Sequence, residues 1–170
     1  INHSFDITET KGDTGCCLVL ITPDGERTML TYLGVSSDFN NGSHFDSVIS
    51  NAKMILIEGY LLANDAVYQL ILDVIIPSAK ANNTQLALTL SDAGLLGFFI
   101  DRFKALIDQK FDFIFANFEE AKALSNCSTI PDMPPFFNQI TTEAIITDGK
   151  DGAYTLINNE LFYHETIALN

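Results

Sequence analysis

The chain has no tryptophan, three cysteines, and nine lysines and arginines against 22 aspartates and glutamates. Each scarcity excludes something. A formal net charge of −13 repels phosphate polymers, so no nucleic-acid partner is expected. A small anion differs, because a divalent cation and backbone N–H groups can supply a local positive field. Cys16, Cys17 and Cys127 show no C-x-x-C spacing, which argues against a zinc site. An odd cysteine count without a secretory signal predicts reduced, buried thiols and a cytoplasmic location. The N-x-S/T triplets at Asn2, Asn41, Asn82 and Asn126 are then chance matches.

Long apolar runs are also missing. The best candidate, Ala66 to Ala79, is interrupted by Gln69, Asp73 and Pro77 and is too short to cross a bilayer, so no membrane partner is expected. Ile1-Asn2-His3-Ser4 has neither a basic nor an apolar leader region. The lack of an initiator Met leads us to expect a piece upstream. No G-x-x-x-x-G-K-[ST] loop occurs, which excludes a P-loop kinase. His3, His44 and His164 are scattered in mostly polar contexts and form neither a metal triad nor a Ser/His/Asp arrangement. No internal repeat is visible.

What is present is a globular composition, 47% hydrophobic and 18% charged over 170 residues, enough for one domain with a core. Cys17 to Thr22 is apolar and β-branched, Pro23-Asp24-Gly25-Glu26 is turn chemistry, and Arg27 to Leu33 alternates polar and apolar. Together these predict a hairpin. A short helix is expected from about His44 to Asn51. Strands are expected at Met54–Ile57, Gln85–Leu90, Phe111–Ala116 and Ala144–Thr147. Val67, Leu70, Ile71, Val74 and Ile75 mark one face of a helix over 64–82, which Pro77 should kink or shorten. A second helix is expected over 95–109, and a third, capped by Asn117, to Leu124. Met133-Pro134-Pro135 reads as a chain break. A closing hairpin turns through Asn158-Asn159.

Alternating strands and helices predict an α/β fold with a mainly parallel sheet. Ligands of such sheets bind beyond the strands' C-terminal ends, so the residues that follow strands matter most. Asn117 and Glu120 have two readings. Both could face a phosphate at a helix N-terminus, with Glu120 reaching a hydrated Mg²⁺ through water. On spacing alone the commoner reading is a capping box. Thr147, Gly149 and Gly152 punctuate a turn that lets a ligand approach closely, or simply a hairpin turn. Glu58 is either a ligand contact or a cap or ion-pair partner. Ser91-Asp92 reads equally well as a plain helix N-cap.

As an ordered set these residues resemble a family. Thr14-Gly15, Pro23 to Met29 and Leu33-Gly34 are similar to the lid strands of PfkB-type, ribokinase-like carbohydrate and nucleoside kinases. Leu56 to Tyr60, Leu88 to Asp92, Phe115 to Ala121 and Thr147-x-Gly149-x-x-Gly152 follow in that family's order, with a flavour of its adenosine kinase branch. The resemblance implies a three-layer αβα fold with a mainly parallel central sheet and part of a small β-lid. It implies one kinase domain, with the lid over about 14–34 and the αβ core over 52–170. It implies ATP and Mg²⁺, and phosphoryl transfer to a hydroxymethyl group of a sugar or nucleoside. By the same resemblance Glu58 would hold substrate, Asn117, Thr147, Gly149 and Gly152 the phosphates and nucleotide, and Glu120 the metal.

The departures are as informative. The family's Gly-Gly strand would lie upstream, and its D-T-x-G-A-G-D segment, with the general-base aspartate, downstream of Asn170. The chain therefore holds no catalytic base and is expected to be an inactive internal piece of an active kinase. The alternative is a non-catalytic α/β binding module on the same scaffold. Met29, Tyr32 and Leu33 lean towards a nucleoside, unless they pack the lid or a partner's lid in a homodimer.

Overall fold

The computed structural model describes residues 11–38 and 48–167, and every structural statement here concerns those. The first half of the expected helix over 44–51 lies outside them; Val48 and Ile49 are helical. His3 and His44 also lie outside. The chain divides into two compact units, Ile1–Asn40 and Asn41–Asn170, and each is described by itself.

The first unit is a hairpin. β1 (Thr14–Ile21) pairs antiparallel with β2 (Arg27–Gly34), with Val19 opposite Met29 and Cys16 opposite Tyr32. The turn forms where Pro23 and Gly25 allow it. Gly25 has φ +87°, which glycine adopts without steric cost, and the Thr22 hydroxyl bonds the Asp24 carboxylate. Nearly every hairpin residue is exposed, including Leu18, Leu20, Ile21, Met29, Leu30 and Tyr32. The expected burial of the thiols therefore fails: Cys16 and Cys17 are free but exposed, and Cys127 is half-buried. A two-stranded ribbon has no interior in which to hide them.

The second unit is a six-stranded sheet in the order β3 (Met54–Glu58), β4 (Gln85–Thr89), β5 (Phe111–Asn117), β6 (Thr141–Thr147), β7 (Ala153–Ile157), β8 (Glu160–His164). β3 to β6 are parallel, while β7 and β8 turn back antiparallel. This is the expected ribokinase-like α/β architecture with a mainly parallel sheet, its last two strands antiparallel. The crossovers between the parallel strands are helical: α1 (Asp65–Leu70), α2 (Ile76–Ala81), α3 (Ala93–Ile107), α4 (Phe118–Ser125) and α5 (Pro134–Ile140).

Three prolines act differently from what the sequence suggests. Pro77 neither ends nor shortens its helix. Ile71–Ile75 widens into a π-helical turn, with the Ile76 N–H reaching the Ile71 carbonyl, and the helix continues as α2. A wider turn relieves the clash of a proline ring with the preceding carbonyl. Pro134 and Pro135 do not break the chain but open α5. The first helical turn has no partner for its N–H groups, so prolines fit there.

The pleat sorts the sheet's side chains. Ile57, Leu86, Leu88, Ile114, Ala144, Ile146 and Leu156 lie in one core with Leu96, Phe103, Leu106 and Phe137 of the helices. The alternate positions form the other face, where Leu56 is 56% and Phe115 37% exposed; neither belongs to that core. Among the described residues, no helix is long and apolar enough to cross a membrane.

Leu88→Ala should therefore cost about 3 kcal/mol, as for a fully enclosed leucine. Leu56→Ala should cost less than about 1 kcal/mol. Urea unfolding followed by circular dichroism checks both, the chain having no tryptophan for fluorescence.

Candidate active site

The parallel ladder brings four strand ends to one edge. Glu58 stands opposite Thr89, Thr89 opposite Phe115, and Asn117 opposite Thr147. A cavity of about 280 Å³ opens there, lined by Thr89, Ser91, Phe115, Ala116, Asn117, Glu120, Ile145 and Thr147. Asn117, Glu120 and Thr147 were expected at such an edge. Glu58, Gly149 and Gly152 are not among the lining residues.

Asn117 and Glu120 hold each other. The Glu120 N–H donates to Asn117 Oδ1 at 2.8 Å, while the Glu120 carboxylate accepts the Asn117 N–H at 2.9 Å and Nδ2 at 2.8 Å. This is a complete capping box on α4. Glu120 is only 6% exposed. Burial pushes its carboxyl above the usual range and the nearby Asp92 adds to the shift, while the Asn117 N–H opposes it. The cap and the cavity wall are thus the same two residues.

Glu58 ends β3 and makes no capping hydrogen bond to the turn that follows, so a cap is not its role. Gly59 comes next because nothing larger fits: a Cβ there would lie 2.6 Å from the Leu90 carbonyl oxygen. Tyr60 senses the edge electrostatically. Burial raises its phenol pKa first, followed by the charges of Asp92, Glu120 and Glu58. Asp92 accepts the Leu95 N–H at 2.8 Å and is the N-cap of α3.

Thr147 lies only 3.5 Å from the Ala116 carbonyl, too long for a firm bond, which leaves its hydroxyl available. Gly149 has φ +53° with open space around it. Gly152 has φ +105°, and a Cβ there would meet the His164 carbonyl oxygen at 2.5 Å. The β8 backbone therefore requires this glycine whatever the turn binds. His164 itself faces Thr155 at 3.0 Å and takes no part in the cavity.

No group of three His, Cys, Asp or Glu among the described residues could hold a metal ion. A cation at this edge would need water and ligand oxygens besides Glu120. Of the other walls, Ser91 was among the residues noted after strand ends, whereas Thr89, Phe115 and Ile145 were not singled out as site residues. The signal was there: each stands within two residues of a strand's C-terminal end, on the face that the core leaves open.

The pfkB family carbohydrate kinase model matches residues 1–169. The chain belongs to this family. The adenosine kinase of Sinorhizobium meliloti superposes with a TM-score of 0.84 at 26% identity, over 92% of this chain and 48% of that one. A probable sugar kinase of Rhizobium etli CFN 42 gives 0.83 at 28% identity, over 91% and 47%. The uncharacterised sugar kinase YegV of Escherichia coli K12 is 34% identical over 58 residues, 34% of this chain and 18% of that protein. The chain thus spans about half the length of the kinase structures that it matches.

Asn117→Ala should destabilise this pfkB-family chain by about 2 kcal/mol, from the lost cap and the loss of the Nδ2 donor to a buried carboxylate. The raised Glu120 carboxyl has a definite pH signature. Folding disfavours its charge, so the penalty is full above the folded pKa and is relieved as pH falls through that value towards the ordinary carboxylate range. The stability of wild type relative to Glu120→Gln should therefore increase as pH is lowered from neutral, measured by urea unfolding at several pH values.

Proposed function

We propose that the whole protein is a cytoplasmic, ATP-dependent kinase that phosphorylates a hydroxymethyl group of a sugar or nucleoside. One observation carries this reading: Asn117, Glu120 and Thr147 converge on a single cavity at the C-terminal edge of a parallel sheet. Kinases of the matched family and fold give it chemical content, and a ribokinase II-like structure from Escherichia coli contains ATP and Mg²⁺.

In this reading Glu58, an exposed carboxylate without a capping role, accepts hydrogen bonds from the acceptor's hydroxyl groups. Asn117 and the Thr147 hydroxyl line the phosphate path. The Gly149–Gly152 turn offers backbone to the nucleotide. Glu120 would hold Mg²⁺ through water, and the cation would offset charge building on the transferred phosphoryl. Because phosphoryl transfer depends on positioning and electrostatics, a wall of fixed dipoles suits it. We assign the base that takes the hydroxyl proton to residues downstream of Asn170, so the 170-residue chain is inactive alone. A nucleoside is favoured over a sugar by the exposed apolar lid residues Met29, Tyr32 and Leu33. The same side chains could join two lids in a homodimer.

A second reading has its own support. The capping box leaves Asn117 and Glu120 fully partnered by each other, as a non-catalytic binding module on this scaffold would also show. A coupled ATP-consumption assay on the complete protein, over a panel of sugars and nucleosides, separates the two. Turnover with adenosine or a sugar supports the kinase, and Glu58→Gln should then raise the acceptor KM by about tenfold. No turnover, with a ligand still raising the Tm, points to the binding module.

A further inference from the structure

Arg102 belongs to none of the motifs above, yet it makes more kinds of contact than any other described cation. It rises from the middle of α3 (Ala93–Ile107). Its Nη1 donates to the Leu62 carbonyl at 2.6 Å, and its Nη2 pairs with the Asp65 carboxylate. The guanidinium carbon lies 4.9 Å from the centre of the Tyr68 ring and 5.1 Å from that of Phe99. Phe99 is the point where α3 departs from helical geometry, with φ −121° and ψ 28°. The Arg102 side chain is 26% exposed; its bond to the Leu62 carbonyl is partly shielded from water, whereas the Asp65 pair is open to it.

These partners have one thing in common. Leu62 lies in the 3-10 turn Gly59–Ala63, which begins immediately after Glu58, and Asp65 opens the next helix. The guanidinium therefore ties the segment that leaves β3 to α3. That helix in turn starts at Asp92, next to Ser91 on the cavity wall. A Cβ at Gly59 would lie 2.6 Å from the Leu90 carbonyl oxygen and 2.9 Å from the Phe103 ring, so the residue that follows β3 packs directly beside both the end of β4 and α3. The planar guanidinium bonds a carbonyl and a carboxylate in a fixed fork while stacking on the rings, a geometry that the compact charge of a lysine ammonium does not reproduce.

We infer that Arg102 is a positioning residue: it fixes the Glu58–Tyr60 end of β3 against the Ser91–Asp92 end of β4, and so sets the acceptor side of the site. The inference rests on the kinase reading above, in which Glu58 meets the acceptor. It also separates the two substrates of the reaction. Asn117, Thr147 and the Gly149–Gly152 turn stand on β5 and β6 and beyond, and Arg102 bonds none of them.

The test uses the complete protein with Arg102→Lys and Asp65→Asn. The second variant alters a carboxylate whose side chain is 87% exposed and should fold without difficulty. Steady-state kinetics measure KM for the acceptor and for ATP separately, with Tm recorded alongside. The expected result is an acceptor KM raised about tenfold in Arg102→Lys and a few-fold in Asp65→Asn, with the ATP KM within about twofold of wild type, because a displaced positioning group costs affinity only on its own side. An unchanged acceptor KM overturns the inference. So does a rise of both KM values together with a fall in Tm, which marks Arg102 as a general stabiliser. A wild-type protein that turns over no acceptor instead fails the kinase reading, and the inference falls with it. These failures are told apart by whether the wild type is active.

Discussion

The hydrogen-bonded register of the parallel strands is the constraint on which everything else here depends. Parallel neighbours must run the same way, so each strand has to be followed by a crossover before the next begins. The polar residues that close one strand are thereby delivered to the same edge as those closing its neighbour. Glu58, Thr89, Phe115, Asn117 and Thr147 share that edge because their strands are in register. A slip of one residue in β3 would exchange Ile55 and Ile57 for Met54, Leu56 and Glu58 on the core face. The site and the core are thus set by one pairing pattern.

The Asn117–Glu120 pair shows how little separates a structural role from a functional one at such an edge. A helix start needs acceptors for its free N–H groups, and a phosphate or metal site needs the same dipole and the same carboxylate. Here the need of the helix is met internally, yet Glu120 stays buried near Asp92 with its charge disfavoured. In the kinase reading, a cation would relieve that cost. Gly152 shows the reverse balance. Its conformation and its contact with the β8 backbone account for it fully, so any contact with a nucleotide would be additional.

Much of this was legible because local chemistry and tertiary structure agreed. The Phe111–Ala116 run is a strand wherever it is placed. Asn117 caps because its side chain can reach an N–H three residues on, and Asn158-Asn159 turns because both residues accept positive φ, here 54° and 63°. Other features were not legible. Proline is ambiguous in sequence, since it ends one helix and begins another. Only neighbouring packing decided that Pro134 opens α5 and that a π-turn precedes Pro77. The start of β6 at Thr141 rather than Ala144 came from pairing with Phe111, a partner 30 residues away by number and invisible to a local pattern.

The sequence by itself determined the alternation of elements, the polarity of the strand ends, the cap at Asn117 and the kinship with pfkB-family kinases. Each of these rests on interactions within a few residues, or on the order of motifs along the chain. Only the tertiary structure decided which strand-end residues share a cavity, which sheet face the helices cover, and that Arg102 reaches across to the turn after Glu58. Those are contacts between residues far apart in sequence. They follow from register and packing, which no local pattern encodes.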